Sequence, residues 1–94
     1  MFDGKKYVTR GVAETIPLDM QCFMWDLIDQ MSVDKDYLQV FSLSVEGGKQ
    51  RLTHIQEMPE YKKSYVVNGD TKISCKIFVI DDVEYSTMLL ASEY

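Results

Sequence analysis

One histidine, two cysteines and a short acidic run are the residues of this 94-residue chain with the most direct claim to chemistry. His54 would serve as a general base only with an oriented neighbour and a nucleophile to activate. Cys22 with His54 is the one conceivable thiol pair, yet the pattern places Cys22 on a helix and His54 in a hairpin strand opposite Phe41. His54 is therefore read as a cross-strand polar partner. Cys22 and Cys75 belong to no CxxC or Cys/His cluster, so neither zinc nor a redox motif is supported. Both are read as reduced, packed thiols. Asp81, Asp82 and Glu84 offer clustered carboxylates of the kind hard cations prefer, but lack the spaced ligand ladder of a calcium loop. Turn and cap duty is the plainer reading, and the trio is kept as a secondary candidate site. Lys62-Lys63 between Tyr61 and Tyr65 has the look of a basic–aromatic patch for single-stranded nucleic acid. Lysines guarding an exposed strand edge account for it better. No catalytic residue, metal ligand or cofactor is assigned, and the sequence argues against most enzymes.

The clearest signal is an amphipathic helix over residues 17–31. Met20, Phe23, Met24, Leu27, Ile28 and Met31 follow the i, i+3, i+4, i+7 rhythm of a core-facing stripe. Leu18, Cys22 and Trp25 form a second stripe at i, i+4, i+7, about 60° beyond Ile28. Asp19, Asp26, Asp29 and Gln30 hold the polar side. One sheet can cover the first stripe, so the second is the candidate partner-binding surface.

Most of the remainder reads as strand. Residues 6–13 are rich in strand formers, with Gly11 marking a bulge. Pro17 suits the first helical turn. Residues 37–45 and 50–57 alternate around Gly47-Gly48, a tight hairpin signal whose paired positions sum to 95. Leu43 then faces Leu52, Val40 faces Ile55 and Phe41 faces His54. Residues 61–67 and 71–80 form a second hairpin around Asn68-Gly69-Asp70. Phe78 and Ile80 break the alternation, which suggests a central strand buried on both faces near its end. Residues 85–90 are read as strand, although Asp81 with Glu84 makes a capping box and Met88–Ala91 favours helix, so that 83–92 stays open between the two. The expected fold is α+β: an antiparallel sheet of five or six strands built from hairpins, with one helix on one face, as a single domain over residues 1–94.

Composition agrees with a soluble domain: 46% apolar, 12% aromatic and 27% charged residues. Six Met and six Tyr suit either a core or a partner surface. The net charge of −5 speaks against direct nucleic-acid binding, which draws its affinity from Lys and Arg. No apolar run resembles a signal peptide or a membrane span, so a reducing cytoplasm is expected and no membrane partner.

Three separated stretches, residues 7–13 (Tyr-Val-Thr-Arg-Gly-Val-Ala), the Pro17–Asp29 helix and residues 77–91, resemble in order the family called domain of unknown function 960, small proteins of Firmicutes and their phages. The resemblance implies a stand-alone cytoplasmic or phage-associated domain and carries over no residue roles. The reading that follows is a non-catalytic protein-interaction module, homodimeric or bound to a protein partner through Leu18, Cys22 and Trp25. A small-molecule or nucleotide-binding domain and a phage-encoded inhibitor of a host defence or regulatory protein are the alternatives.

Overall fold

The computed structural model describes residues 1–94. In chain order the elements are β1 (Lys5–Val8), α1 (Arg10–Thr15), α2 (Leu18–Asp29), β2 (Leu38–Glu46), β3 (Lys49–Gln56), β4 (Tyr61–Val67), β5 (Cys75–Asp81) and β6 (Tyr85–Leu90), closed by a short 3-10 turn at Ala91–Glu93. The six strands form one sheet in the order β1-β6-β5-β2-β3-β4.

The β2–β3 register follows from turn chemistry. Gly47 and Gly48 both have positive φ, +58° and +73°, the pair of conformations that a tight two-residue hairpin needs. That turn sets Leu43 opposite Leu52, Phe41 opposite His54 and Val40 opposite Ile55, as the spacing predicts. β5 is an inner strand, antiparallel to both β2 and β6. Tyr85–Leu90 is a strand, because its main chain completes the ladder with β5. The local helix signals lose to that pairing.

The expectation of a wholly antiparallel sheet with one helix is corrected in two places. β1 runs parallel to β6, with Lys5 against Tyr85 and Val8 against Met88. The strand expected over residues 6–13 stops at Val8, and Arg10–Thr15 is a second helix. Thr9 ends the strand because its hydroxyl accepts the Val12 N–H at 3.3 Å, an N-cap contact. Gly11 is no bulge. It lies in α1, where a Cβ would stand 2.5 Å from the Glu93 carboxylate. α2 also ends earlier than expected, at Asp29, leaving Met31 half-buried beyond it. β5 begins at Cys75 rather than at residue 71, and the second hairpin expected around Asn68-Gly69-Asp70 does not form. β4 pairs only with β3 at the sheet edge, whereas β5 pairs with β2 and β6, so that turn joins strands that are not neighbours.

Both helices share the core. Val12, Ile16, Met20, Met24, Leu27 and Ile28 pack with Phe41, Leu43, Leu52, Ile77, Val79 and Met88, and Phe2 plugs the same cluster from the N-terminus. Of the six-residue helix stripe, Phe23 is only half-buried and stands edge-on to Tyr65, with ring centroids 5.6 Å apart. Gln21 is buried beside the stripe instead, donating its amide to the Ile16 carbonyl at 2.8 Å.

Candidate partner-binding surfaces

The proposed helix stripe exists as one flank of α2, but its members differ. Leu18 is 73% exposed and Cys22 is exposed. Trp25 is half-buried and packs against the core cluster. The Lys6 ammonium of the edge strand lies 5.8 Å from the Trp25 ring centroid, a cation–π contact that ties the ring to β1. The free stripe is therefore little more than Leu18 and Cys22.

The acidic turn is organised for structure. Asp81 Oδ1 accepts the Phe2 backbone N–H at 3.2 Å and the Ser86 hydroxyl at 3.3 Å, which holds the N-terminal plug in place. The Glu84 carbonyl accepts the Lys5 N–H at 3.3 Å. Asp82 and Glu84 are exposed, and no group of three His, Cys, Asp or Glu side chains stands close enough to hold a metal ion.

His54 is fully buried on the helix-covered face, stacked on Phe41 at 4.4 Å between ring centroids. Its Nε2 lies 2.7 Å from Gln39 Oε1. Gln39 Nε2 in turn donates to Gln56 Oε1 and to the Asp36 carbonyl, and Gln56 Nε2 donates to the carbonyls of Asp34 and Pro59. Gln39 Oε1 is thus left as an acceptor, so His54 Nε2 carries the proton and Nδ1 has none. Burial drives the imidazole pKa down to about 4. Neither cysteine is part of this network, so His54 acts as a packed core group.

A larger surface lies on the opposite side of the sheet. The helices cover one face only, lined by the odd-numbered positions of β2 and β5 and the even-numbered ones of β3 and β6. On the other face, Leu89, Phe78, Val40 and Ile55 stand side by side across four strands. Ile80 and Leu38 pair in the next row, again on the uncovered side. None of these six is buried; each is half-exposed. The expectation that β5 is buried on both faces near its end is therefore corrected: Phe78 and Ile80 stay half-exposed, with the Tyr94 ring edge-on to Phe78 at 5.6 Å. Tyr7 and Tyr85 extend the apolar band to the β1 edge, 5.7 Å apart.

Beside that band the face turns polar. Ser42, Thr53 and Ser64 form a hydroxyl row, with Thr53 and Ser64 hydrogen-bonded at 3.0 Å. With Ser44, Arg51 and Lys62 they line a shallow depression of about 310 Å³. Arg51 is paired with Glu46 at 2.7 Å. Lys62 and Lys76, on the same face, enter none of the chain's ion pairs.

Sequence reasoning missed this face because half-exposed strand positions carry the same apolar residues as buried ones. One signal was available: a single long amphipathic helix cannot cover both faces of a six-stranded sheet.

No curated protein matches the chain. Among solved structures, the fold is similar to that of a protein of unknown function from Enterococcus faecalis. That crystal structure shares 24% identity with this chain at a TM-score of 0.86, over 98% of this chain and 92% of that one. At that identity the likeness speaks for the fold alone. Residues 5–93 match the family model described as a staphylococcal protein of unknown function, DUF960, and the chain belongs to that family.

Proposed function

We propose that this protein is a non-catalytic interaction module that holds a protein partner on the uncovered face of its sheet. The observation that carries the reading is the band Leu89–Phe78–Val40–Ile55, which lies across four strands with no helix over it. Contiguous apolar surface of this kind, bordered by polar and charged side chains, is typical of partner surfaces. The chemistry-bearing residues point the same way: His54 is enclosed in the core, and Asp81 holds the N-terminal segment.

The exposed Leu18 and Cys22 favour a second reading, in which the α2 flank with Trp25 takes the partner. Under that reading Trp25→Ser weakens association by about 2 kcal/mol, as loss of an aromatic anchor does.

A retention experiment separates the two. Wild-type, Val40→Lys and Leu18→Ser chains are immobilised and exposed to cell lysate containing an untagged copy of the same chain. A protein retained by the wild type and by Leu18→Ser but released by Val40→Lys supports the sheet face. Release by Leu18→Ser with retention by Val40→Lys contradicts it.

A further inference from the structure

We infer that the occupant of the uncovered face is a second copy of this chain, packed face to face with each strand running antiparallel to its own copy. The inference rests on the reading of that face as a partner surface and adds the partner and its register.

Charge is laid unevenly along the strands. The end of the sheet at the Gly47-Gly48 turn carries Lys49, Arg51 and Lys72 against Glu46 and Asp70, with Lys76 opposite Ser42 nearer the middle. The opposite end carries Asp36, Glu57, Glu60 and Asp82 against Lys35 and Lys62. An isologous pair needs a surface complementary to itself under a two-fold rotation. A two-fold axis lying across the strands superposes opposite ends of the two copies, and so places the basic end of one on the acidic end of the other.

The register of the apolar band sets where that axis falls. Gln39 and Val79 stand opposite each other between the two apolar rows of the β2–β5 pair, Val40–Phe78 and Leu38–Ile80. Phe78 and Ile80 flank Val79, while Leu38 and Val40 flank Gln39. With the axis at this level, Phe78 of one copy meets Ile80 of the other, and Val40 meets Leu38. Lys76, three residues before Val79, then lies over Asp82, three residues after it. On β2 and β5 apolar side chains meet apolar ones, and Lys76 and Asp82 meet outside them, the usual anatomy of an interface; on the flanking strands Ile55 meets Glu57 and Leu89 meets Thr87.

The area approaches that of a standard interface. Six strands spaced about 4.8 Å apart and about 20 Å long outline roughly 600 Å², and side-chain relief brings this close to the roughly 800 Å² per partner of a standard interface. Two sheets packed in this way sit about 10 Å apart, within the reach of a lysine side chain.

Sedimentation equilibrium from low micromolar to submillimolar concentration tests the register through a charge swap. Lys76 and Asp82 are both exposed, so Lys76→Glu and Asp82→Lys leave the fold intact, which far-UV circular dichroism melts verify. The wild type is expected to dimerise, and each single variant to raise the dissociation constant about tenfold. The double variant, Lys76→Glu with Asp82→Lys, is expected to restore it to near the wild-type value. A double variant as weak as the singles overturns the antiparallel register. A chain that stays monomeric throughout, or that instead binds a labelled single-stranded oligonucleotide through Lys62 and Lys76, overturns the second copy. A monomer leaves the sheet face as a surface for a different protein, whereas a dimer dissolved by Leu18→Ser and untouched by Lys76→Glu overturns the sheet-face reading itself.

Discussion

His54 Nε2 lies 2.7 Å from Gln39 Oε1, and His54 Nδ1, equally buried, has no partner at all. A second proton on this ring would place a charged N–H in the core without an acceptor, which is why burial holds the pKa down to about 4. The unfolded chain takes up that proton at about 6.5. The sign follows directly. The stability contributed by neutral His54 is full above pH 6.5 and is lost as pH falls towards 4, because only the unfolded state binds the proton across that window. The whole loss is on the order of 3 kcal/mol. Denaturant unfolding measured between pH 7 and 4 should show this slope, and His54→Phe should flatten it whatever its absolute stability. An equal slope in that variant would assign the dependence to other groups.

Leu27 sits in the core stripe of α2 and is nearly fully buried against the sheet. Leu27→Ala should cost roughly 2–5 kcal/mol in urea unfolding. Phe23→Ala, at a half-buried position beside Tyr65, should cost less than removal of a fully buried ring. A loss below about 1 kcal/mol for Leu27→Ala would contradict the packing described.

Glu93 ties the C-terminus to α1. Its carboxylate accepts the Thr9 hydroxyl at 2.7 Å, the Leu90 N–H at 2.8 Å and the Gly11 N–H at 3.3 Å. The Thr9 hydrogen bond, followed by that from Leu90, holds its pKa below the ordinary carboxylate value. This contribution is present above the ordinary carboxylate range and fades as pH falls through it. Gly11 makes the contact possible by leaving room for the carboxylate. In a Glu93→Ala background, Gly11→Ala should stabilise α1 by about 0.5–1 kcal/mol, the usual helix preference for alanine. In the wild type the same substitution should give no such gain, because the new methyl displaces the carboxylate. Thermal melts of the four chains provide the cycle, and equal effects in both backgrounds would contradict the Glu93 clasp.

The two thiols should react in two separate phases. Cys22 is exposed on α2, whereas Cys75 is half-buried and burial pushes its thiol pKa up. A thiol-reactive chromophore should modify Cys22 quickly in the native protein and Cys75 more slowly, with both modified at once after unfolding. Equal native rates, or fewer than two thiols titrated in the unfolded chain, would contradict this.

The parts of the fold legible in the sequence are those set by local chemistry. Gly47-Gly48 dictates its turn, and the Leu43–Leu52 register follows by counting. The rhythm from Met20 to Ile28 needs only one buried face to be read. What escaped depends on distant partners. Residues 10–15 follow the strand formers Tyr7 and Val8, and their own helix signals, the Thr9 cap and the Arg10–Glu14 pair, are short and split by Gly11; the contact that secures this turn comes from Glu93, 82 residues from Gly11. Gln39, Gln50 and Gln56 point into the core where an alternating pattern demands apolar residues, because each finds carbonyl or amide partners across the sheet. The candidate site was legible only on its helix flank. Leu18 and Cys22 stand where helical spacing puts them, but whether the Phe78 side of β5 is covered depends on where both helices pack.

The central claim, that the partner sits on the uncovered sheet face, is tested most directly by methyl NMR. The methyl groups of Leu38, Val40, Ile55, Ile80 and Leu89 report on that face, and those of Leu18 report on the α2 flank. Spectra are recorded on dilute protein, on concentrated protein and on dilute protein in cell extract. Shifts or broadening are expected at the sheet-face methyls on concentration or in extract, with Leu18 unchanged. Perturbation of Leu18 while the sheet-face methyls stay fixed would contradict it.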